Sequence, residues 1–153
     1  YTLSLHDALP ICMHVTVITG KNQALYDTLR VKYPEITVIG YTEQVAQYMQ
    51  RADVLVTKSG GATTFEAIHS ETPLYILQPF LVQEFANARY IEQHRIGCVA
   101  WKKSQTIAQD ILALAQEPSR LHEMKRNMHM LKQSWEEICP VVAYNSRREP
   151  TAS

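Results

Sequence analysis

The sequence has no net charge, and it lacks several features that mark specialised classes of protein. Its 15 basic residues are balanced by 15 acidic ones, so it does not show the basic excess of a general binder of nucleic acids or anionic membranes. No apolar run approaches the roughly 18 residues of a membrane-spanning helix. Seven prolines, five glycines and 46% hydrophobic residues exclude a disordered or collagenous chain. The 153 residues predict a globular protein of one domain.

Cysteine and histidine are too few and too scattered to predict a disulfide framework or a metal site. The three cysteines are an odd number without paired spacing, which is typical of cytosolic thiols. His122 and His129 lie seven residues apart, but no cysteine or acidic residue completes a ligand set around them. We therefore expect no metal.

The first eleven residues, YTLSLHDALPI, resemble the translation of a widely used DNA sequencing adapter. They lack the basic segment and apolar core of a secretory signal; the alternative is a genuine amphipathic arm. We expect residues 1–12 to be an artefactual segment, residues 13–139 to form the domain and residues 140–153 to be a polar tail. The authentic gene is then expected to continue upstream of Met13.

Short β-branched runs alternate with helical patterns along the rest of the chain. Strands are predicted over 14–19, 36–39, 53–56, 74–77 and 97–101. Helices are predicted over 23–32, 43–51, 62–69, 83–94, 104–116 and 118–138. This alternation favours an α/β fold, a Rossmann-like doubly wound parallel sheet whose binding crevice lies beyond the carboxyl ends of the strands.

The strongest chemical signal is the segment KSGGATTFE at residues 58–66. It follows a predicted strand and opens a predicted helix, whose first N–H groups have no internal partner and favour an anion such as phosphate. The alternative is purely structural: Thr63 caps the helix and Glu66 completes a capping box three residues later. Local patterns alone leave both interpretations open.

A longer stretch, KSGGATTFEAIHSETPLYILQPFLVQEFANA at residues 58–88, resembles the carboxyl-terminal domain of two-domain (GT-B) glycosyltransferases. Within them it is similar to monogalactosyldiacylglycerol synthases and processive diacylglycerol glucosyltransferases, which carry the glycosyltransferase family 28 C-terminal domain. GKNQAL at 20–25 and GYT at 40–42 resemble two further loops of that group. The sequence departs from the pattern at Ser59, where proline is frequent, at Thr72, where glycine is usual, and at Leu81 and Val82, which replace Pro-Gly.

The resemblance implies a role for each matching residue toward a uridine diphosphate (UDP) sugar. Glu66 would accept hydrogen bonds from the ribose hydroxyls, and the loop after the third strand would bind the diphosphate. The uracil would lie between Tyr41 and Thr42, and Gln83 and Glu84 would bind the sugar, unless they form an ordinary polar helix start. The implied nucleotide-sugar-binding residues are Gly20, Asn22, Gly40, Tyr41, Thr42, Lys58, Ser59, Gly60, Gly61, Ala62, Thr63, Glu66, Gln83, Glu84 and Asn87.

The resemblance also implies the activity: inverting transfer of a hexose from a UDP-sugar to a lipid acceptor such as diacylglycerol. The UDP-sugar is then a substrate, and no cofactor is expected. The general base would lie in an amino-terminal domain absent from this chain, so we expect a fragment that is inactive alone. The alternatives are a transferase of the lipid-linked peptidoglycan type, a UDP-sugar epimerase and a non-catalytic nucleotide-sugar-binding subunit. We expect a cytoplasmic location, with peripheral association at the inner face of the cell membrane, and no nucleic-acid partner.

Overall fold

The computed structural model describes residues 13–101 and 107–138. These residues form two compact units that divide between Tyr48 and Met49. The segment resembling an adapter, the start of the helix predicted from residue 104, and the polar tail lie outside the described residues. The domain boundaries expected from the sequence stay predictions.

The first unit contains a two-stranded parallel sheet. Strand β1 (Thr16–Ile18) is followed by helix α1 (Gln23–Lys32), strand β2 (Thr37–Ile39) and helix α2 (Val45–Arg51), which runs into the second unit. The strands pair in parallel with Val17 opposite Val38. The bounds of α1 are those predicted from the sequence, because Asn22 caps its first turn and Pro34 follows its end.

The second unit contains a three-stranded parallel sheet with the order β3-β4-β5. Strand β3 (Leu55–Thr57) leads to helix α3 (Gly61–His69), and β4 (Leu74–Ile76) leads to α4 (Val82–Gln93). Strand β5 (Gly97–Val99) precedes α5 (Ile107–Ala115) and α6 (Pro118–Ile138). All five strands are shorter than predicted, and α3 begins one residue earlier. The parallel α/β architecture expected from the sequence is confirmed.

Helices cover both faces of the three-stranded sheet, because consecutive side chains of β4 point to opposite sides. Leu74 and Ile76 pack in one cluster with Ile68 of α3 and Ile91 of α4. Tyr75 packs in a second cluster, with Leu114 of α5 and with Leu121 and Met124 of α6. Helix α6 also reaches the first cluster through Met128. Burial on both faces explains the continuous apolar run of β4.

Helices α3 and α4 both end in a left-handed residue that is not glycine. Glu71 has φ 54° and Arg95 has φ 52°. After α3 the N–H of Glu71 donates to Ile68 O and that of Thr72 to Ala67 O, the paired bonds of a Schellman motif. The same pattern follows α4, from Arg95 to Glu92 and from Ile96 to Ile91. The left-handed position therefore lies at Glu71, one residue before the site where the resemblance places glycine.

The Glu71 side chain joins the end of α3 to α6. Its Oε1 atom lies 2.9 Å from His129 Nδ1 and 3.3 Å from Lys132 Nζ. Burial acts to raise the pKa of Glu71, but the hydrogen bonds and charges of His129 and Lys132 outweigh it and hold the pKa below its ordinary value of 4.5. The ionised carboxylate is thus the form that stabilises the contact between the two helices.

This contact predicts a pH dependence of stability. Because the folded-state pKa of Glu71 is depressed, its contribution is fully present above pH 4.5 and is lost as the pH falls through the folded-state value. For a partly exposed group we expect at most about 1 kcal/mol. Urea unfolding at pH 6 and at about pH 3 gives the free energy of unfolding that each protein loses on acidification. This loss should be smaller for Glu71→Gln than for the parent. Equal losses in the two proteins would contradict this role.

Candidate functional site

Two loops leave the carboxyl edge of the three-stranded sheet side by side. Thr57 and Ile76, the last residues of β3 and β4, are direct partners in the register. The N–H of Leu77 then donates to Thr57 O at 2.9 Å. The loop before α3, residues 58–60, is here called the glycine loop, and the loop before α4, residues 77–81, the apolar loop. Parallel pairing thus brings together two segments that are separated by about 20 residues of sequence.

Reciprocal hydrogen bonds connect the glycine loop to the first turns of α4. The hydroxyl of Ser59, which is fully buried, donates to Glu84 O at 2.8 Å. In return, Asn87 Nδ2 donates to Ser59 O, also at 2.8 Å. Lys58 Nζ lies 3.5 Å from Glu84 Oε1 while its side chain remains 71% exposed. The structure therefore brings four of the predicted site residues into direct contact.

The start of α3 presents backbone N–H groups without helical partners. Gly60 is the N-cap residue, so Gly61, Ala62 and Thr63 form the first turn, and no acceptor for their N–H groups is recorded among the described residues. Gly60 provides no side-chain cap. Thr64 Oγ1 turns back to Gly60 O at 2.8 Å and does not cap the turn. The helix dipole places partial positive charge at the same end, so this turn is suited to an anion.

Neither glycine of this turn is required by conformation or by packing. Gly60 has φ −71° and ψ 139°, which any residue adopts. A Cβ atom at Gly60 would have no neighbour within 4 Å, and one at Gly61 would only reach ordinary contact with Asn87 Nδ2 at 3.9 Å. By contrast, a Cβ atom at Gly97 would lie 2.6 Å from Leu74 O. The missing side chains of Gly60 and Gly61 leave open space at the helix N-terminus.

A capping acid is present at α4 and not at α3. The alternative that Thr63 caps α3 is wrong, because α3 begins at Gly61 and Glu66 falls in its second turn. Glu66 is exposed and its carboxylate has no recorded partner among the described residues. At α4, Glu84 Oε2 accepts from the N–H groups of Phe80 and Leu81 at 3.0 and 3.3 Å. The capping alternative that the sequence left open for Glu66 is therefore not realised, and Glu84 is the residue that caps a helix with its carboxylate.

The Glu84 carboxylate is held in a defined position. Its side chain is only 7% exposed. The two backbone N–H donors, assisted by Lys58, lower the pKa of Glu84 below its ordinary value even though burial acts to raise it. Glu84 is therefore ionised at neutral pH and fixes the apolar loop. Gln83 is exposed beside it, and the sugar-binding role expected for both residues stays a prediction.

The remaining predicted residues belong to the first unit, at the carboxyl ends of β1 and β2. Gly20 is left-handed, with φ 58°, and Asn22 Oδ1 accepts from Leu25 N at 3.0 Å as the cap of α1. Lys21 Nζ lies 5.4 Å from the centre of the exposed Tyr41 ring. Thr42 Oγ1 accepts from Gln44 N before α2. Gly40 follows the end of β2, and the ligand roles of these residues stay predictions.

Sequence patterns gave no sign of a cavity of about 510 Å³ on the sheet face covered by α5 and α6. Tyr75 donates to Asp110 Oδ2 at 3.2 Å there, and burial, followed by the charge of Asp110, raises the pKa of Tyr75 to about 12. Arg120 Nη2 lies 2.9 Å from Cys98 Sγ. None of the predicted donor-binding residues is among those that line this cavity.

Two other observations concern the described residues as a whole. No helix within 13–101 and 107–138 is long and apolar enough to cross a membrane. In the same residues no three side chains of His, Cys, Asp or Glu are grouped as metal ligands would be.

Curated proteins of similar sequence carry one recurrent name. The chain is 32% identical over 121 residues to a processive diacylglycerol beta-glucosyltransferase of Staphylococcus carnosus (strain TM300), covering 77% of this chain. It is 30% identical over 120 residues, or 76% of this chain, to the protein of the same name from Bacillus subtilis (strain 168). In both comparisons the chain spans 31% of the relative's length, so it corresponds to about a third of those proteins.

A solved structure and a family profile agree with these relatives. The glycosyltransferase described in "Crystal Structure Analysis of the Glycotransferase of kitacinnamycin" superposes with a TM-score of 0.64 at 22% identity, covering 84% of this chain and 34% of the other. That similarity supports the GT-B type of fold expected from the sequence. The profile of the glycosyltransferase family 28 C-terminal domain matches residues 3–138. The chain therefore belongs to the glycosyltransferase family 28 C-terminal domain family.

Proposed function

We propose that this chain is the UDP-sugar-binding part of an inverting hexosyltransferase that acts on a lipid acceptor such as diacylglycerol. The observation that carries the proposal is the first turn of α3. There, the described residues offer no acceptor for the N–H groups of Gly61, Ala62 and Thr63, and Cβ atoms at Gly60 or Gly61 would meet no close neighbour. The names of the relatives from S. carnosus and B. subtilis support diacylglycerol as the acceptor.

In the proposed reaction the acceptor oxygen bonds to the anomeric carbon as the bond from that carbon to the diphosphate oxygen breaks. The electron pair of the broken bond stays on the diphosphate, and the hydroxyl proton passes to a general base. The N–H groups of Gly61, Ala62 and Thr63 would stabilise the growing negative charge, aided by the helix dipole and by Lys58. We assign the base to the part of the longer relatives that this chain does not match, and we propose that no cofactor is needed.

Donor binding without turnover is the expected behaviour of the isolated chain. Calorimetric titration should detect binding of UDP-glucose, and incubation with UDP-glucose and vesicles that contain diacylglycerol should release no UDP above the rate without protein. Binding of glucose alone with the same affinity as UDP-glucose would contradict the diphosphate site. Release of UDP coupled to formation of a glucosyl lipid would contradict the placement of the base outside this chain.

The apolar loop supports the lipid part of the proposal. Phe80 is 80% exposed and Val82, the first residue of α4, is 88% exposed. The backbone N–H groups of Phe80 and Leu81 are satisfied by Glu84, which lowers the cost of removing these two groups from water. We propose that it touches the lipid surface that carries the acceptor, as a peripheral contact.

Vesicle sedimentation tests this contact with a matched pair of variants. Val82→Ser should reduce the fraction of the chain that sediments with phosphatidylcholine vesicles containing diacylglycerol, about threefold or more for the loss of one buried apolar side chain. Val31, which is 85% exposed on α1, is the control, and Val31→Ser should sediment as the parent does. Equal sedimentation of the two variants would contradict a lipid contact where the apolar loop meets α4.

A further inference from the structure

The glycine loop is fixed from outside itself. Two consecutive glycines give a chain segment unusual conformational freedom, and within the loop only the bond from Gly60 N to Lys58 O at 2.9 Å is recorded. Thr64 of α3 donates to Gly60 O at the end of the loop, through its N–H at 3.0 Å and its hydroxyl at 2.8 Å. Ser59, in the middle of the loop, is held by α4, through the bonds between Ser59 Oγ and Glu84 O and between Asn87 Nδ2 and Ser59 O. Ser59 donates in the first of these bonds and accepts in the second, and the two together are here called the Ser59 clamp.

Burial makes the clamp a rigid connection. Ser59 is fully buried, so its hydroxyl does not exchange freely with water and has a defined acceptor in Glu84 O. Glu84 in turn holds the apolar loop through the N–H groups of Phe80 and Leu81. The glycine loop, the start of α4 and the apolar loop therefore form one hydrogen-bonded assembly around Ser59 and Glu84.

We propose that Ser59 is a positioning residue for the diphosphate, acting through the clamp and without touching the ligand. The inference rests on the proposed function of the N–H groups of Gly61, Ala62 and Thr63. Those groups stabilise charge best when they are oriented before the ligand arrives, since reorganising the loop would cost binding free energy. Ser59 supplies that orientation from a fully buried position behind the first turn of α3.

The test compares two ligands and two hydroxyl deletions. In the proposed site the diphosphate of UDP reaches the first turn of α3, and uridine has no diphosphate. A positioning role for Ser59 therefore predicts that Ser59→Ala loses affinity for UDP and not for uridine. Ser59→Ala should bind UDP about fivefold more weakly or worse, and uridine within about twofold of the parent. Thr72 is the matched control: it is 1% exposed and donates to Met49 O at the same 2.8 Å, at the opposite end of α3. Thr72→Ala should lose about as much thermal stability as Ser59→Ala does, but it should bind UDP with the affinity of the parent.

A second variant keeps the test decisive if Ser59→Ala folds poorly. Asn87→Ala removes the returning bond, and because UDP has no hexose, any direct contact of Asn87 with a sugar does not enter the measurement. Its affinity for UDP should also fall about fivefold. If Ser59 and Asn87 act as one unit, their effects are not additive, so the variant with both substitutions should bind UDP within about twofold of the weaker-binding single variant.

The outcomes separate this inference from the function on which it rests. Failure of the parent to bind UDP more tightly than uridine would overturn the diphosphate site, and the positioning role with it. Parent-like affinity of Ser59→Ala for UDP, with the parent preferring UDP, would overturn the positioning role alone. Equal losses for UDP and uridine in Ser59→Ala would also overturn it, since they would indicate general damage to the fold.

Discussion

Replacing Glu66 with glutamine is expected to weaken UDP binding at least about tenfold, or 1.4 kcal/mol, because glutamine cannot provide two ionised acceptor oxygens to the ribose hydroxyls. The stability of the fold should be unchanged within about 0.5 kcal/mol, as for an exposed residue away from structural features. The structure sharpens this expectation, since Glu66 is exposed in the second turn of α3 and is not part of a cap. Calorimetric titration and urea unfolding give the two quantities.

The dideoxy nucleotide provides the control for the ribose contact. UDP lacking the 2′ and 3′ hydroxyls has lost the proposed partners of Glu66, so Glu66→Gln should bind it about as well as the parent does. If the variant binds both nucleotides with the affinities of the parent, Glu66 is not the ribose ligand. If the variant loses equal affinity for both, the carboxylate acts on the site as a whole and not on the ribose.

Replacing Gly61 with alanine is expected to change stability and binding in opposite directions. Alanine suits the first turn of a helix and reduces the freedom of the unfolded chain, so the fold should gain about 0.4–1 kcal/mol. The added methyl group has room in the ligand-free protein, since its nearest neighbour is Asn87 Nδ2 at 3.9 Å. A diphosphate bound to the N–H groups of this turn would meet it, and we expect about tenfold weaker UDP binding.

Gly97→Ala is the contrasting variant. Its Cβ atom would lie 2.6 Å from Leu74 O and 2.8 Å from Ile91 Cγ2, so it should destabilise the fold by about 1–3 kcal/mol through overpacking. Gly97 is thus a glycine required by packing, and Gly61 is one that the fold alone does not require. If Gly61→Ala is more stable and binds UDP like the parent, the missing side chain of Gly61 does not make room for a diphosphate.

Local signals in the sequence predicted the bounds of a helix correctly where single residues determine its ends. Asn22 and Pro34 set the bounds of α1, and the apolar run of residues 74–77 identified the central strand of the second unit. Paired glycines were more ambiguous. They suggested a turn and placed the predicted start of α3 one residue too late, because glycine has a low helix propensity and gives no sign that Gly61 already belongs to the helix.

The contacts of the candidate site were less predictable, because they depend on the register of the sheet. The bond from Ser59 to Glu84 spans 25 residues, and the two loops come together because β3 pairs with β4 in a register that places Thr57 opposite Ile76. The capping role of Glu84 was hidden for a related reason, since Leu81 carries no side-chain acceptor that would have marked the N-cap. The left-handed residues Glu71 and Arg95 also lack the glycine that usually signals such a helix end.

The measurement that tests the central claim most directly is the thermal stabilisation of the chain by UDP, compared with adenosine and guanosine diphosphates at equal concentration. A ligand that binds only the folded state adds about 2.7 kcal/mol at a hundredfold excess over its dissociation constant. We predict that UDP raises the melting temperature clearly more than the other two nucleotides do. Equal shifts with all three would contradict uridine recognition through Tyr41 and Thr42, and no shift with any of them would contradict a nucleotide-sugar site altogether.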